Sequence, residues 1–158
     1  SVVLQKSLMD EDFNIKVING SVSGSTSSGG LNRAEWTLSE SDVDLMILGL
    51  GANDMLRGIN PKETKKNLEQ IIKIAQDKSI EVVLAGMIAP SSHGFKYKKN
   101  FDKIYPDLSK KYKLTLIPFL LEGVALKPKY NLSDGIHPNK KGTIIISNTL
   151  KKAILNKL

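Results

Sequence analysis

The sequence contains no cysteine, only two arginines and few aromatic residues. The absence of cysteine excludes a disulfide framework, a thiolate metal site and a cysteine nucleophile, and it leaves both reducing and oxidising compartments open. No apolar run approaches the roughly 18 residues of a membrane span, and no signal-peptide pattern is visible. These residues therefore predict no stable membrane insertion and do not specify a cell compartment.

The charge is strongly positive, with a formal net charge of +7. Most of it comes from lysines spread along predicted helices, which is typical of solvated helix faces. A nucleic-acid interface would favour clustered cations with interleaved aromatics or arginine forks, and only Arg33 and Arg57 are arginines. We therefore predict no nucleic-acid partner.

Length and composition predict one compact domain over residues 1–158. The chain is 41% hydrophobic and 25% charged, and it is long enough to bury most of a parallel sheet.

Four short aliphatic runs, at 15–19, 44–49, 80–86 and 114–119, alternate with helical patterns. Their apolar residues are nearly continuous, as in strands buried on both faces. Strands and helices that alternate at these intervals indicate right-handed βαβ units. The fold class is therefore α/β with a parallel sheet.

Three helices follow from periodicity and capping signals. One begins at Asn60 and Pro61 and carries an apolar stripe from Leu68 to Ala75. A second spans 98–113 with an interruption or a kink at Pro106. The last begins at Pro138, and its apolar face is formed by Ile146, Leu150, Ile154 and Leu158.

Ligands of an open α/β sheet gather at the carboxyl ends of the strands, and three loops there are unusual. In the segment 19–26, Gly24 can present its backbone N–H without a side chain in the way. An ordinary flexible turn explains the same residues equally well.

The loop at 49–54 contains Asn53 directly after a strand. A dinucleotide fingerprint fits poorly, because Asp54 replaces its third glycine and the helix begins only at Pro61. Asn53 can instead direct its amide N–H groups at a developing oxyanion. A structural role, in which the side chain caps its own loop, is the alternative.

The third loop places Asp134 three residues before His137. With Gly135 permitting a tight turn, Asp134 can accept the Nδ1 proton of His137 and leave Nε2 as a general base. A solvated loop histidine is the alternative interpretation.

Together these three blocks resemble the SGNH, or GDSL, hydrolases. The similarity is greatest to the bacterial branch of multifunctional thioesterases, lysophospholipases and arylesterases, and it covers nearly the whole chain. The blocks are NGSVSG at 19–24, LGAND at 50–54 and DGIHPN at 134–139.

The resemblance implies a flavodoxin-like three-layer α/β/α sandwich with strand order 2-1-3-4-5. It assigns oxyanion donation to Gly24 and Asn53, the acid of a catalytic triad to Asp134 and the base to His137. It implies acyl transfer to water without a metal or other cofactor.

The sequence departs from the family in one respect, because the Gly-Asp-Ser-Leu block that carries the nucleophile is absent. We expect the nucleophile and its strand to come from residues outside 1–158. In the order 2-1-3-4-5 this strand would lie between those at 15–19 and 44–49. Ser23, Ser25 and Ser133 are alternative nucleophiles that proximity in sequence alone supports.

The resemblance also predicts the substrate. Leu56, Ile88, Ala89 and Pro90 correspond to an apolar wall at the acyl site. We therefore expect small-molecule aryl or acyl esters, thioesters or lysophospholipids as substrates. The resemblance also leads us to expect a monomer or weak homo-oligomer and a periplasmic or secreted location.

Two other functions stay open at this point. A carbohydrate acetylesterase can use the same fold. A non-catalytic flavodoxin-like module can bind phosphate or a flavin phosphate through the Ser/Gly-rich loop at 21–30, although it leaves Asn53, Asp134 and His137 without a role.

Overall fold

The computed structural model describes residues 1–39 and 42–157. The chain forms two compact units, one made of Ser1–Asn19 with Phe119–Leu158 and the other of Gly20–Pro118. None of the helices in the described ranges is both long and apolar enough to cross a membrane. The helices are α1 Val2–Met9, α2 Ser27–Thr37, α3 Ala52–Leu56, α4 Pro61–Asp77, α5 Phe95–Asp102, α6 Ile104–Tyr112 and α7 Lys140–Ile154.

A parallel sheet lies in the Gly20–Pro118 unit. Its strands are β1 Leu45–Leu48, β2 Glu81–Ala85 and β3 Thr115–Ile117, in the order β1-β2-β3. They confirm the predicted strands at 44–49, 80–86 and 114–119, and their order matches strands 3-4-5 of the expected sheet. Residues on both faces of β2 are buried, which explains its uninterrupted apolar sequence. The α/β fold class is confirmed.

Helix α4 shows how the sequence sets a helix boundary and a packing face. The Asn60 side chain accepts the Lys62 N–H at 3.0 Å, and Pro61 occupies the first turn, where its missing N–H needs no partner. The predicted stripe is buried and packs α4 against α2, α6 and β2. Its members are Leu68, Ile71, Ile72 and Ala75.

The helical segment predicted over 98–113 is interrupted, but not at Pro106. The break falls at Lys103, three residues before the proline, and Pro106 lies in the first turn of α6. Proline is tolerated there because the first four N–H groups of a helix have no intrahelical acceptor. The predicted position of the break was therefore wrong.

In the unit formed by 1–19 and 119–158, α1 packs against α7 through the buried residues Leu4, Leu8 and Ile154. Helix α7 does not begin at Pro138 as predicted. Asn139 is its N-cap and accepts the N–H groups of Lys141 and Gly142, whereas Pro138 forms an isolated bridge with Asn131. Asn is one of the strongest N-caps, so it defines the helix start. Leu158 lies outside the described residues.

The strand predicted at 15–19 is not formed. Its aliphatic residues suit a strand, but a strand requires partners for its peptide groups. Here the Gln5 side chain is the partner of two of them. Its Nε2 donates to the Ile15 carbonyl and its Oε1 accepts the Val17 N–H, both at 2.5 Å.

Candidate active site

Asp134 and His137 form a hydrogen-bonded pair, as predicted. His137 Nδ1 lies 2.7 Å from Asp134 Oδ2. The other carboxylate oxygen accepts the backbone N–H groups of Ile136 at 2.8 Å and His137 at 2.9 Å. One carboxylate thus fixes both the backbone and the imidazole of the same short turn.

These contacts keep the carboxylate ionised. The pKa of Asp134 is lowered to about 2, chiefly by the hydrogen bond from the His137 backbone N–H and then by the bond from its imidazole. Because an ionised carboxylate can only accept, Nδ1 of His137 must carry a proton. The neutral ring then has its lone pair on Nε2, the atom that a general base requires.

The loop around this pair is held by backbone geometry. Gly135 has φ of +72°, a region that L side chains rarely adopt, which explains the glycine between Asp134 and His137. Leu132 N–H donates to the His137 carbonyl at 2.7 Å, so the turn closes on itself. The imidazole projects from this turn with 69% of its side chain exposed.

In the other unit, the turn at 22–25 is held by side chains that sequence spacing did not reveal. Ser25 N–H donates to the Val22 carbonyl at 3.1 Å, and Gly24 has φ of +70°. Asn53 Nδ2 donates to the Ser25 carbonyl and Arg57 Nη2 to the Gly24 carbonyl, both at 3.0 Å. Gly24 and Asn53 therefore belong to one hydrogen-bonded group.

The bond to Ser25 orients Asn53 without using all of its donors. A carboxamide carries two N–H groups, so one can hold the turn while the other points to a ligand. Asn53 is half-buried in α3, directly after the sharp turn at Gly51. The geometry fits a rigidly held neutral donor, as the oxyanion prediction requires.

Asp54 is a buried structural residue that the sequence analysis did not assign. Its carboxylate accepts the Ser27 N–H at 2.7 Å, the Ser27 hydroxyl, and the Thr64 hydroxyl at 3.2 Å. It therefore lies at the N-terminus of α2, where a bound phosphate would also lie. This disfavours the phosphate-binding alternative for residues 21–30. A carboxylate next to Asn53 was the only sequence signal for it.

The 50–59 segment is also held by aromatic rings of α5, α6 and the 3-10 turn Ser91–His93 that precedes α5. His93, Tyr97, Phe101 and Tyr105 form a ladder in which successive ring centroids are 5.3, 5.9 and 5.9 Å apart. Within α5, Tyr97 and Phe101 are four residues apart and therefore lie on one face of the helix. The three polar rings of the ladder hold main-chain carbonyls at 2.9 Å, with His93 Nε2 on Met55, Tyr97 OH on Ile59 and Tyr105 OH on Leu50.

The tightest contact of this segment is at Gly51. Gly51 has φ of +112°, and an added Cβ would lie 2.2 Å from the Tyr105 hydroxyl oxygen. Tyr105 is 1% exposed, and burial raises the pKa of its phenol far above the ordinary value. The hydroxyl therefore keeps its proton and donates to Leu50, which leaves no room for a side chain at residue 51.

We expect Gly51→Ala to lower the free energy of unfolding by about 2–5 kcal/mol, because the methyl group adds overlap with Tyr105 to a strained backbone. Tyr105→Phe alone is expected to cost about 1–3 kcal/mol, since it leaves the Leu50 carbonyl without its partner. In the double variant the overlapping oxygen is gone, and the next atom is 3.4 Å from the new Cβ. Urea unfolding should therefore show the double variant to be more stable than the sum of the single losses predicts.

Gly58→Ala is the matched control. Gly58 also has a positive φ, of +65°, but nothing lies within 4 Å of an added Cβ, so this variant measures backbone strain alone. Strictly additive losses in the double variant would show that Tyr105 is not the cause of the Gly51 requirement.

The predicted apolar wall is only partly at the surface. Leu56 is 49% and Ile88 43% exposed, and Pro90 is also exposed. Ala89 differs from the prediction because its side chain is buried, at 1% exposure. Its main chain is bonded instead, with the N–H donating to Asp102 at 2.9 Å and the carbonyl accepting Lys98 Nζ at 2.6 Å. Ala89 thus anchors the loop and offers no accessible apolar surface.

Within residues 1–39 and 42–157, no group of three or more histidines and carboxylates is placed to hold a metal ion. The polar groups described above are hydrogen-bond donors and acceptors of the kind used in acyl transfer.

Comparison with known proteins also indicates acyl transfer. The model of the GDSL-like Lipase/Acylhydrolase family matches residues 3–143. An arylesterase of Vibrio mimicus is 35% identical over 156 residues, which are 99% of this chain and 78% of that protein. Thioesterase 1/protease 1/lysophospholipase L1 of Escherichia coli K12 is 36% identical over 138 residues, which are 87% of this chain and 66% of that protein.

A solved structure extends the likeness to three dimensions. The crystal structure of TesA matches with a TM-score of 0.94 at 34% identity, over 99% of this chain and 87% of that chain. Sequence, family model and fold agree, and the chain belongs to the GDSL-like lipase/acylhydrolase family of ester hydrolases.

Proposed function

We propose that His137, oriented by Asp134, is the general base of a serine-dependent ester hydrolysis. The observation that carries this proposal is the 2.7 Å contact between His137 Nδ1 and Asp134 Oδ2. It leaves Nε2 to take the proton of the nucleophile and then return it to the leaving group.

Gly24 and Asn53 would stabilise the charge that develops on the carbonyl oxygen. A tetrahedral intermediate of acyl transfer places negative charge on that oxygen, and fixed neutral donors stabilise it. The backbone N–H of Gly24 and the second N–H of Asn53 are donors of this kind. Their support is the hydrogen-bonded turn that holds Asn53 and residues 24 and 25 together.

The nucleophile in this proposal is a serine that residues 1–158 do not contain, carried on a strand and turn of the same catalytic domain. The relatives are longer than the part that this chain matches. Of the three alternative serines, Ser25 has its hydroxyl bonded to Arg33 at 2.7 Å. Ser23 and Ser133 have only their proximity in sequence to the proposed donors and base in their favour.

The proposed substrates are small aryl or acyl esters, thioesters and lysophospholipids. Leu56, Ile88 and Pro90 supply exposed apolar surface in the segments predicted to line the acyl site. The names of the relatives, an arylesterase and a thioesterase with lysophospholipase activity, support the same range. None of these reactions requires a metal or an organic cofactor.

A fluorophosphonate ester tests the proposal directly, since it phosphonylates the serine that a histidine base activates and releases fluoride. We expect the full-length protein to be labelled at one serine outside residues 1–158, as located by mass spectrometry of the digested protein. The label and p-nitrophenyl ester hydrolysis should disappear together in a His137→Ala variant.

Labelling of Ser23, Ser25 or Ser133 would contradict the assignment of the nucleophile. A labelled protein whose His137→Ala variant reacts equally fast would contradict the assignment of the base.

A further inference from the structure

We propose that Arg57 is a positioning residue for the oxyanion turn at 22–25. The proposal rests on the function proposed above, in which Gly24 N–H and Asn53 Nδ2 stabilise the oxyanion. Arg57 is assigned no contact with substrate. Its role is to hold the Gly24–Ser25 peptide against α3, so that two donors from different parts of the chain keep one relative geometry.

Helix α3 and its C-cap place two side chains against the turn. Asn53 and Arg57 are four residues apart, on the helix and its C-cap, so their side chains lie on one face. Asn53 bonds the Ser25 carbonyl and Arg57 the Gly24 carbonyl, both at 3.0 Å. One helix face thus holds two consecutive carbonyls of a turn that lies 28 and 33 residues away in the chain.

Arginine, rather than the far more common lysine, occupies both positions whose cations bond this turn. Only Arg33 and Arg57 among the 23 Lys and Arg residues are arginines, and both bond this turn. Arg33 Nη1 reaches the Ser25 hydroxyl at 2.7 Å and the Gly29 carbonyl at 2.8 Å. Neither arginine takes part in an ion pair with a described carboxylate. A planar guanidinium holds oriented acceptors better than an ammonium group, which explains arginine at these two positions.

Gly24 needs a partner that restricts its backbone conformation. Gly24 lies at φ of +70°, and an isolated glycine adopts positive and negative φ about equally readily. Without Arg57, the Gly24–Ser25 peptide keeps its Ser25 N–H bond to Val22, and Asn53 still bonds the Ser25 carbonyl, but the Gly24 carbonyl loses its partner. Rotation about the two backbone bonds of Gly24 is then less restricted, so the direction of its N–H, which lies in the preceding Ser23–Gly24 peptide, spreads. The loss then falls on transition-state stabilisation, because the ground-state carbonyl depends less on this donor.

The test compares Arg57→Ala and Arg57→Lys with Lys66→Ala in the full-length protein, using a neutral p-nitrophenyl acyl ester. Lys66 is an exposed cation of α4 whose removal changes the net charge by the same amount. We expect Arg57→Ala to lower kcat about ten-fold or more, since small misplacements can cost up to ~10²-fold, with KM within about two-fold. Arg57→Lys should recover part of the loss, added guanidinium ion should partly rescue Arg57→Ala, and Lys66→Ala should match the parent.

A readout without catalysis separates this proposal from the proposed function. The Gly24 amide signal in ¹⁵N NMR spectra should broaden or shift in Arg57→Ala and stay in place in Lys66→Ala. An unchanged Gly24 signal with unchanged kcat would overturn the positioning role, and so would a rise in KM alone, which would make Arg57 a substrate-binding residue. If His137→Ala stays active, the proposed function fails while the Gly24 signal still tests the role of Arg57.

Discussion

Replacement of His137 by alanine in the full-length protein is expected to lower kcat/KM for ester hydrolysis by about 10³-fold or more. In the proposed mechanism the imidazole is the base that activates the nucleophile, and its Nδ1 lies 2.7 Å from Asp134 Oδ2. The fold should survive, because the His137 side chain is 69% exposed and contributes little to packing. Initial rates on a p-nitrophenyl ester, together with a circular dichroism melting curve, measure both expectations.

His93 is the matched control, since it is the only other histidine. It holds the Met55 carbonyl at 2.9 Å, so His93→Gln should affect stability more than chemistry.

The pH dependence of activity tests the role of Asp134 separately. Because the pKa of Asp134 is lowered to about 2, its carboxylate stays ionised at every pH above that value. No step in the kcat/KM profile above about pH 4 should therefore come from Asp134. Activity of His137→Ala within tenfold of the parent would remove His137 from the mechanism.

The second large effect is expected at Asn53. Asn53→Ala should lower kcat by about 10²–10³-fold with little change in KM, because an oxyanion donor acts mainly in the transition state. Asn53→Asp should not restore the rate, since a carboxylate offers acceptors where donors are needed. Steady-state kinetics with a saturating ester separate kcat from KM.

Asn67 offers a comparison in the same unit. It is also a half-buried carboxamide, and its Nδ2 donates to the Ser27 hydroxyl at 3.0 Å. Asn67→Ala should leave kcat within a few-fold of the parent while lowering stability. If Asn53→Ala raised KM and left kcat unchanged, Asn53 would be a binding residue and the oxyanion assignment would be wrong.

Features that depend on short stretches of chain could be predicted well. The three observed strands are continuous aliphatic runs, and α4 combines a capping asparagine, a proline in the first turn and an apolar stripe. Asp134 and His137 are three residues apart, so the turn itself brings them together. In each case the partners are neighbours in sequence, and local sterics and hydrogen bonding determine the geometry.

Predictions failed where a local preference competed with a contact from elsewhere in the chain. Residues 15–19 have the composition of a strand, but the Gln5 side chain bonds their peptide groups. Two other failures had a local cause: Pro106, where an interruption or a kink was predicted, lies in the first turn of α6, and Asn139 rather than Pro138 sets the start of α7. Ala89 lies in an apolar loop segment, but Asp102 and Lys98 bind its main chain and its side chain is buried.

The sequence by itself excluded cysteine chemistry, and it predicted the α/β class and the pairing of Asp134 with His137 in one turn. The tertiary structure alone showed that Asp54 occupies the start of α2, that Tyr105 excludes a side chain at Gly51, and that both arginines hold the turn at 22–25. The partners in the Asp54–Ser27, Arg57–Gly24 and Tyr105–Leu50 bonds are 27, 33 and 55 residues apart. Periodicity and propensity describe only near neighbours, so contacts over such separations exist only once the helices have packed onto the sheet.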